Sequence, residues 1–201
     1  MEAKPHWDNV YASKRDDELS WSQPEPTMSL NLIVAVAAPP ARVLDVGGGT
    51  SLLAQRLIER GFHVGVLDIS AVALERAKVL LGPRAAEIRW IVADVAETTE
   101  VGEFDVWHDR AVFHFLTESA QRAAYVALLA RTVPVGGHAV IATFAPDGPE
   151  KCSGLPVRRY SAQSLAAELG ASLELLKGVT ETHSTPWGKP QTFQYSLFKR
   201  L

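Results

Sequence analysis

The segment Arg42-Val-Leu-Asp-Val-Gly-Gly-Gly-Thr-Ser51 decides the fold of this chain of 201 residues. The segment opens with an apolar run, 42–46, that is typical of a buried strand, and three glycines follow it at once. Between residues 50 and 60, leucine and isoleucine recur at helical spacing, which predicts a helix that ends at Gly61. The order of strand, glycine turn and helix predicts the first half of a strand–helix–strand unit.

The same alternation continues towards the C-terminus. Apolar runs predict further strands at 62–67, 87–93, 104–108 and 138–144. Helical periodicity predicts helices at 72–81 and 118–132. Strands that alternate with helices in this way favour a parallel sheet that helices cover on both faces.

The chain after residue 144 has a different pattern. We expect a loop at 145–159 and then a short helix, capped by Ser161, that runs to residue 169. Two strand-like runs, 173–182 and 192–198, are joined by a segment too short for a helix, which predicts an antiparallel hairpin at the edge of the sheet. The complete prediction is an α/β fold with a doubly wound, seven-stranded sheet, mainly parallel, that has an antiparallel C-terminal hairpin strand.

Composition narrows the classes of partner. The chain has 20 Lys and Arg against 23 Asp and Glu and a net charge of −3, which argues against a nucleic-acid partner. Its one cysteine, Cys152, cannot form an internal disulfide, which is typical of a reducing compartment. No apolar secretory signal opens the chain, and the longest apolar run, 32–38, is too short to span a membrane. We therefore expect a cytoplasmic protein of one domain, monomer or homodimer, with no membrane partner.

Four aspartates fall at the ends of the predicted strands. Asp45 is the penultimate residue of the first strand, Asp68 ends the second, Asp94 follows the third and Asp109 follows the fourth. In a doubly wound sheet, ligands bind outside the carboxyl ends of the strands. The sequence therefore predicts four carboxylates along one rim of a single crevice.

The glycine turn itself is compatible with two kinds of ligand. A phosphate site is disfavoured because Leu52 stands where a dinucleotide fingerprint places its third Gly or Ala, and no Gly-Lys-Ser/Thr follows. Asp45 beside the turn would repel a pyrophosphate and attract a cation. With Asp68 spaced for ribose hydroxyls and Asp94 for an adenine amine, the pattern indicates a nucleoside with a cationic tail, S-adenosylmethionine. Structural alternatives are that Asp45 supports the loop amides, and that Asp68 and Asp94 form helix caps or Asx turns.

Four segments resemble, in order, the motifs of class I S-adenosylmethionine-dependent methyltransferases: Val43–Ser51, Leu67–Ser70, Ala93–Val95 and Pro134–Gly137. The resemblance covers about residues 40–144 and implies a Rossmann-like fold with S-adenosylmethionine as cofactor. Carried over residue by residue, it implies cofactor contacts at Gly47, Gly48, Gly49, Ile69 and Val95 in addition to Asp45, Asp68 and Asp94.

The N-terminus and the fourth strand resemble two narrower groups. Trp7-Asp-x-x-Tyr11 followed by Ser20-Trp21 is similar to the opening of small lysine methyltransferases that act on elongation factor and citrate synthase, which implies that Trp7, Tyr11 and Trp21 close over the cofactor. Asp109-Arg110 falls where those relatives carry an acid–Lys pair beside the methionine part, so the resemblance implies cofactor contacts there. Yet Trp107-His-Asp-Arg110 also resembles thiopurine and other thiol methyltransferases.

The acceptor is therefore open at the level of sequence. We expect residues 1–40 to form a lid, 41–144 the cofactor-binding core and 145–201 the acceptor side. We expect in-line methyl transfer to a small molecule, a thiol or another soft nucleophile; the alternatives are a protein lysine and a non-catalytic S-adenosylmethionine-binding sensor or scaffold. Asp109 and His114, expected at the mouth of the crevice, are candidate bases for a protonated acceptor. No Cys/His spacing indicates zinc, so we expect no metal.

Overall fold

The sheet that the sequence predicts is present in the computed structural model, which describes residues 3–201. The strands of the chain are β1 Arg42–Val46, β2 His63–Asp68, β3 Ile88–Val92, β4 Val106–Arg110, β5 His138–Phe144, β6 Lys151–Cys152, β7 Leu155–Pro156, β8 Leu173–Ser184 and β9 Pro190–Arg200. The α-helices of the chain are α1 Ala3–Ser13, α2 Thr27–Val34, α3 Leu53–Ile58, α4 Ala71–Leu81, α5 Ser119–Thr132 and α6 Ala162–Leu169.

Seven of the strands form one sheet in the order β3-β2-β1-β4-β5-β9-β8. Strands β1 to β5 pair in parallel, β9 is antiparallel to β5, and β8 is antiparallel to β9. This arrangement confirms the predicted doubly wound fold and its antiparallel C-terminal hairpin. The strand order reverses between β1 and β4, and a crevice for a ligand opens at such a point.

Both faces of the sheet are buried along its central strands, as the near-continuous apolar runs predicted, whereas the edge strand β8 is largely exposed. Val43 faces a core that includes side chains of α2 and α3, and the next residue, Leu44, faces a second core that includes side chains of α5 and α6. This alternation follows from the two-residue period of a strand. Within residues 3–201, no helix is long and apolar enough to cross a membrane.

The strand β4 is longer at its carboxyl end than the sequence indicated. Asp109 and Arg110, expected after the strand, belong to it because Asp109 pairs with Ile141 and Arg110 with Ala142 of β5. The expected start of α3 was also early. The chain turns at residues 50–52, where the Ser51 hydroxyl accepts a hydrogen bond from Leu53 N at 3.1 Å, before the helix begins.

The region expected to be a loop at 145–159 contains a short hairpin of β6 and β7. Two residues, Ser153 with φ of 48° and Gly154 with φ of 80°, connect its strands. Two positive φ angles in a two-residue connection are typical of the tight turns that join antiparallel strands. The helix that follows, α6, is as predicted, and the Ser161 hydroxyl caps it by accepting from Ser164 N.

The N-terminal segment packs on α4. The Arg76 guanidinium donates to the backbone carbonyls of Tyr11 and Lys14 and pairs with Asp16 at 2.8 Å. The Ser70 hydroxyl, at the start of α4, donates to Asp8 at 2.7 Å. These contacts hold α1 beside the carboxyl end of β2, where the predicted crevice lies.

Candidate active site

The glycine turn after β1 is built so that only glycine fits it. Gly47 and Gly49 have φ angles of 67° and 49°, in the left-handed region. A Cβ atom on Gly48 would lie 2.6 Å from Val66 Cγ1 and 2.8 Å from Asp45 Oδ2. Gly47 N donates to the carbonyl of Leu67 at 2.6 Å, so the turn is tied to the end of β2.

Asp68 connects this turn to α4. Its Oδ2 accepts from Gly49 N at 3.0 Å, and its Oδ1 accepts from Ser70 N at 2.8 Å. Burial raises the pKa of Asp68 to about 6, against the opposing effect of these two amide donors. The cap of α4 is Ser70, whose hydroxyl accepts from Ala73 N, so Asp68 forms the local turn and leaves the capping to Ser70.

A large cavity of about 530 Å³ opens beside the carboxyl ends of the strands. This size lies within the range of about 300–1,000 Å³ that is usual for small-molecule sites. The cavity brings together the following residues that the sequence indicated: Trp7, Tyr11, Trp21, Gly47, Asp68, Ile69, Asp94, Val95 and Arg110. Asp94 also accepts a hydrogen bond from Ala96 N at 2.8 Å, which is the Asx turn considered as its alternative.

Aromatic rings cover one side of the large cavity. The ring centroids of Trp7 and Trp21 lie 5.7 Å apart, those of Trp7 and Phe115 5.0 Å, and those of Tyr11 and Trp21 6.3 Å, all in edge-to-face arrangements. Such pairs stabilise one another beyond the area that they bury. Tyr11 is buried, and this burial, together with the negative charge of Asp68, raises the pKa of its phenol.

A smaller cavity of about 60 Å³ lies on another side of Gly47 and is also lined by Asp45, Gly48, His108 and Arg110. Asp45 Oδ1 lies 2.7 Å from Nδ1 of His108, whereas Asp45 Oδ2 is buried and has no hydrogen-bond partner among residues 3–201. The sequence grouped Asp45 and Gly48 with the other contacts in one crevice, but both line the smaller cavity. Gly49 contributes its amide to Asp68 instead of lining either one.

Arg110 lines both cavities. Its Nε donates to the Tyr195 hydroxyl at 3.0 Å, its Nη1 donates to the carbonyl of Trp21 at 2.8 Å, and its guanidinium lies 4.3 Å from the ring centroid of Phe193. Its Nη2 is buried without a partner in the described part of the chain. The residues that line the smaller cavity therefore include one carboxylate oxygen and one guanidinium nitrogen that have no hydrogen-bond partner among residues 3–201.

Asp109 does not line either cavity, contrary to its predicted place on the rim. Its side chain is completely buried and accepts from Val112 N at 2.8 Å, Phe113 N at 3.0 Å and the Tyr125 hydroxyl at 2.7 Å. Burial raises its pKa to about 6. Because all of its hydrogen bonds go to the loop after β4 and to α5, Asp109 supports that loop.

The position predicted for His114 also differs from its position in the structure. It is completely buried, packs against Phe115 and Phe144 with centroid distances of 4.5 and 4.8 Å, and accepts from Phe144 N through Nδ1. Burial lowers its pKa to about 3, so the ring is neutral at physiological pH. It therefore lies in the core, and the prediction that it stands at the mouth of the crevice is wrong.

Several residues that line the large cavity were not indicated by the sequence patterns: Ala3, His6, Phe115, Leu116, Leu155 and Pro156. The spacing of Ala3, Trp7 and Tyr11, four residues apart on one face of α1, is a signal that could have found Ala3. Cys152 also lines this cavity, and burial raises the pKa of its thiol to about 11.

Comparison with known proteins identifies the class. The profile of a methyltransferase domain matches residues 43–137. An uncharacterized methyltransferase of Mycobacterium tuberculosis is 34% identical over 155 residues, which are 75% of this chain and 71% of that protein. The chain therefore belongs to the methyltransferase family.

Solved structures agree with this class at the level of the fold. The chain is similar to an S-adenosylmethionine-dependent methyltransferase from Anabaena variabilis, with a TM-score of 0.81 and 15% identity over 100% of this chain and 96% of that one. It is also similar to a Burkholderia thailandensis N1-methyltransferase solved with 1,6-didemethyltoxoflavin and S-adenosylhomocysteine, with a TM-score of 0.69 and 18% identity over 98% and 84%. The fold is that of the class I S-adenosylmethionine-dependent enzymes, and the narrower resemblances to lysine and thiopurine methyltransferases stay predictions.

Proposed function

We propose that this methyltransferase binds the nucleoside of S-adenosylmethionine in the large cavity and its amino-acid tail in the smaller cavity. The observation that carries this assignment is that two polar atoms on the lining residues of the smaller cavity, Asp45 Oδ2 and Arg110 Nη2, have no hydrogen-bond partner in the part of the chain that the structure describes. A buried charge that lacks a full set of partners is costly. The ammonium and carboxylate groups of an amino-acid tail have the charges that complement Asp45 and Arg110.

The lining of the large cavity supports a nucleoside without phosphates. We assign the ribose hydroxyls to Asp68 and the adenine amine to Asp94, with Ile69 and Val95 against the base. Among the described residues that line the two cavities, the acids are Asp45, Asp68, Asp94 and Glu118, and Arg110 is the one arginine or lysine. This balance disfavours a diphosphate and favours a ligand with positive charge.

When bound, S-adenosylmethionine supplies a methyl group on a positively charged sulfur that leaves as a neutral thioether. The contribution of the chain is to align the acceptor with that group, which can supply ~7–11 kcal/mol through entropy already lost on binding. Trp7, Tyr11, Trp21 and Phe115 would exclude water from the reacting atoms. Because Asp109 and His114 lie outside both cavities, we assign no base role to either one.

The acceptor that fits this site best is a small molecule with a soft nucleophile, such as a thiol, that ionises without a dedicated base. The hairpin of β6 and β7 contributes Cys152, Leu155 and Pro156 to the lining, and α1 contributes Ala3 and His6. These elements give the large cavity mostly apolar walls, which suit a small molecule. The Burkholderia thailandensis N1-methyltransferase, whose fold is similar, was solved with bound 1,6-didemethyltoxoflavin.

The experiment measures release of S-adenosylhomocysteine with a panel of small thiols, amines and phenols, next to a whole-cell lysate with radiolabelled cofactor. We expect turnover with small molecules, thiols first, and slower turnover in the Asp68→Ala variant when S-adenosylmethionine is limiting, because this variant binds the cofactor more weakly. Label that appears only on protein lysines would replace the proposed acceptor with the protein alternative. Cofactor binding without transfer to any acceptor would identify the protein as a sensor or scaffold.

A further inference from the structure

A buried chain of hydrogen bonds forms part of the wall of the smaller cavity. Asp45 Oδ1 lies 2.7 Å from Nδ1 of His108, and Nε2 of His108 lies 2.9 Å from the Ser29 hydroxyl. The exposed fractions of Asp45, His108 and Ser29 are 2%, 3% and 1%. The chain thus joins the strand before the glycine turn, the strand β4 and the helix α2 of the N-terminal segment.

A separate hydrogen bond holds Arg110, the other charged residue of the smaller cavity. The Tyr195 hydroxyl, on β9, accepts from Arg110 Nε at 3.0 Å. Burial raises the pKa of Tyr195, while Arg110 and the neighbouring Ser29 hydroxyl act in the opposite direction. Tyr195 therefore holds Arg110, one of the two charged residues that we assign to the amino-acid tail.

Asp45, His108 and Ser29 are the residue types of a hydrolytic triad, but the serine is not exposed to a substrate. A nucleophilic serine must meet a substrate, and its oxyanion donors must surround the reacting carbonyl. Ser29 lies within α2 and is 1% exposed. The three residues therefore provide no nucleophile, and we assign them a structural role beside the smaller cavity.

We infer that His108, held by Ser29, is a positioning residue that fixes the Asp45 carboxylate for the amino-acid tail. One carboxylate oxygen is fixed by the imidazole, and the other, which has no partner in the described residues, is left for the ammonium group. A second hydrogen-bonding partner behind a ligand-binding group commonly sets its orientation in this way. The inference rests on the proposed function, because it needs the tail to bind beside Asp45.

The test compares two ligands that differ in the tail. S-adenosylhomocysteine carries the amino-acid tail, whereas 5′-methylthioadenosine has the same nucleoside and lacks it. In the His108→Phe variant, we expect the affinity for S-adenosylhomocysteine to fall about tenfold, the scale of a hydrogen bond to a charged group, with less than about a twofold change for 5′-methylthioadenosine. In His108→Asn, whose amide can replace Nδ1 as a donor to Asp45, we expect most of the lost affinity to return.

Two further variants keep the test decisive. Ser29→Ala removes the outer partner with a smaller change in volume, and we expect the same selective loss at about threefold. The matched control is His138→Asn. His138 is the first residue of β5, whereas the cavities lie at the carboxyl ends of the strands, so we expect both affinities to stay unchanged. An equal loss for both ligands in a folded His108 variant, or none, would overturn the positioning role while leaving the proposed function intact. Wild-type protein that binds 5′-methylthioadenosine as tightly as S-adenosylhomocysteine would instead overturn the tail assignment and this inference with it.

Discussion

At the scale of single residues, two features of the environment of Asp68 act on its charge in opposite directions. Its carboxylate is buried, which disfavours the charge, yet it accepts two backbone amides, which stabilise the charge. A ligand with two adjacent hydroxyls would add further donors. The side chain is therefore better satisfied with a ribose bound than without one.

Replacement of Asp68 by alanine should weaken binding of S-adenosylhomocysteine by roughly 1–3 kcal/mol, the scale of hydrogen bonds to a charged group. Isothermal titration calorimetry measures the change directly. The exposed Asp147, replaced by alanine, is the matched control and should leave the affinity unchanged. An unchanged dissociation constant in Asp68→Ala would show that the ribose does not bind to Asp68.

The raised pKa of Asp68 also predicts how binding depends on pH. Ribose hydroxyls donate to the ionised carboxylate, and the pKa of about 6 means that protonation in the free enzyme begins to compete just below neutrality. We expect the affinity for S-adenosylhomocysteine to be constant above pH 7 and to approach a fall of about tenfold per pH unit well below pH 6. In Asp68→Asn the profile should be flat across this step, and a flat wild-type profile would contradict the assignment.

At the scale of elements, the alternation of side chains along β4 decides which residues reach the site. His108 and Arg110 lie on one face and line the smaller cavity, while Trp107 and Asp109 lie on the other face and both bond to Tyr125 of α5. The sequence placed Asp109 and Arg110 together because it ended the strand two residues early. Two polar residues in succession are typical of a loop, and only the pairing with β5 extends the strand through them.

The glycine turn is the element whose sequence and structure agree most closely. In Gly48→Ala, the new methyl group would be forced against Val66 and the Asp45 carboxylate, at 2.6 and 2.8 Å. We expect a loss of about 1–3 kcal/mol in stability from overpacking and a clear loss of cofactor affinity, because Asp45 must shift. Thermal unfolding and calorimetry measure the two effects.

Gly136→Ala is the control for that substitution. Gly136 also has a positive φ angle, of 87°, but an added Cβ would meet nothing within 4 Å. We expect a loss of stability of about 1 kcal/mol from backbone strain alone and no change in affinity. Equal effects of the two substitutions on binding would show that the turn does not shape the ligand site.

At the scale of the whole molecule, the sequence predicted the topology well and the site in part. Strand and helix periodicity, with the short connection between the last two strands, was enough for the seven-stranded sheet. The positions of Asp68 and Asp94 followed from the ends of β2 and β3. The two separate cavities and the hairpin of β6 and β7 did not follow, because they depend on how distant segments pack.

The burial of His114 has a consequence for global stability. Its pKa is lowered to about 3 in the folded protein, whereas an unfolded histidine titrates near 6.5. As the pH falls below 6.5, the unfolded chain takes up a proton that the folded protein refuses, so this residue lowers stability at acidic pH. In His114→Leu, the loss of unfolding free energy between pH 7.5 and pH 5 should be smaller by about 2 kcal/mol than in the wild type. Urea denaturation at the two pH values measures the unfolding free energy of both proteins. An identical pH dependence in the variant and the wild type would show that His114 is solvated and not buried.

The sign of charge around the glycine turn favours a nucleoside with an amino-acid tail over a diphosphate. A crystal structure of the protein with S-adenosylhomocysteine would show whether this preference holds. We expect the ribose hydroxyls on Asp68, the tail ammonium beside Asp45 Oδ2 and the tail carboxylate on Arg110. A tail that points away from Asp45 and Arg110, or a nucleotide whose phosphates lie in the glycine turn, would show that the two cavities have been assigned to the wrong ligand.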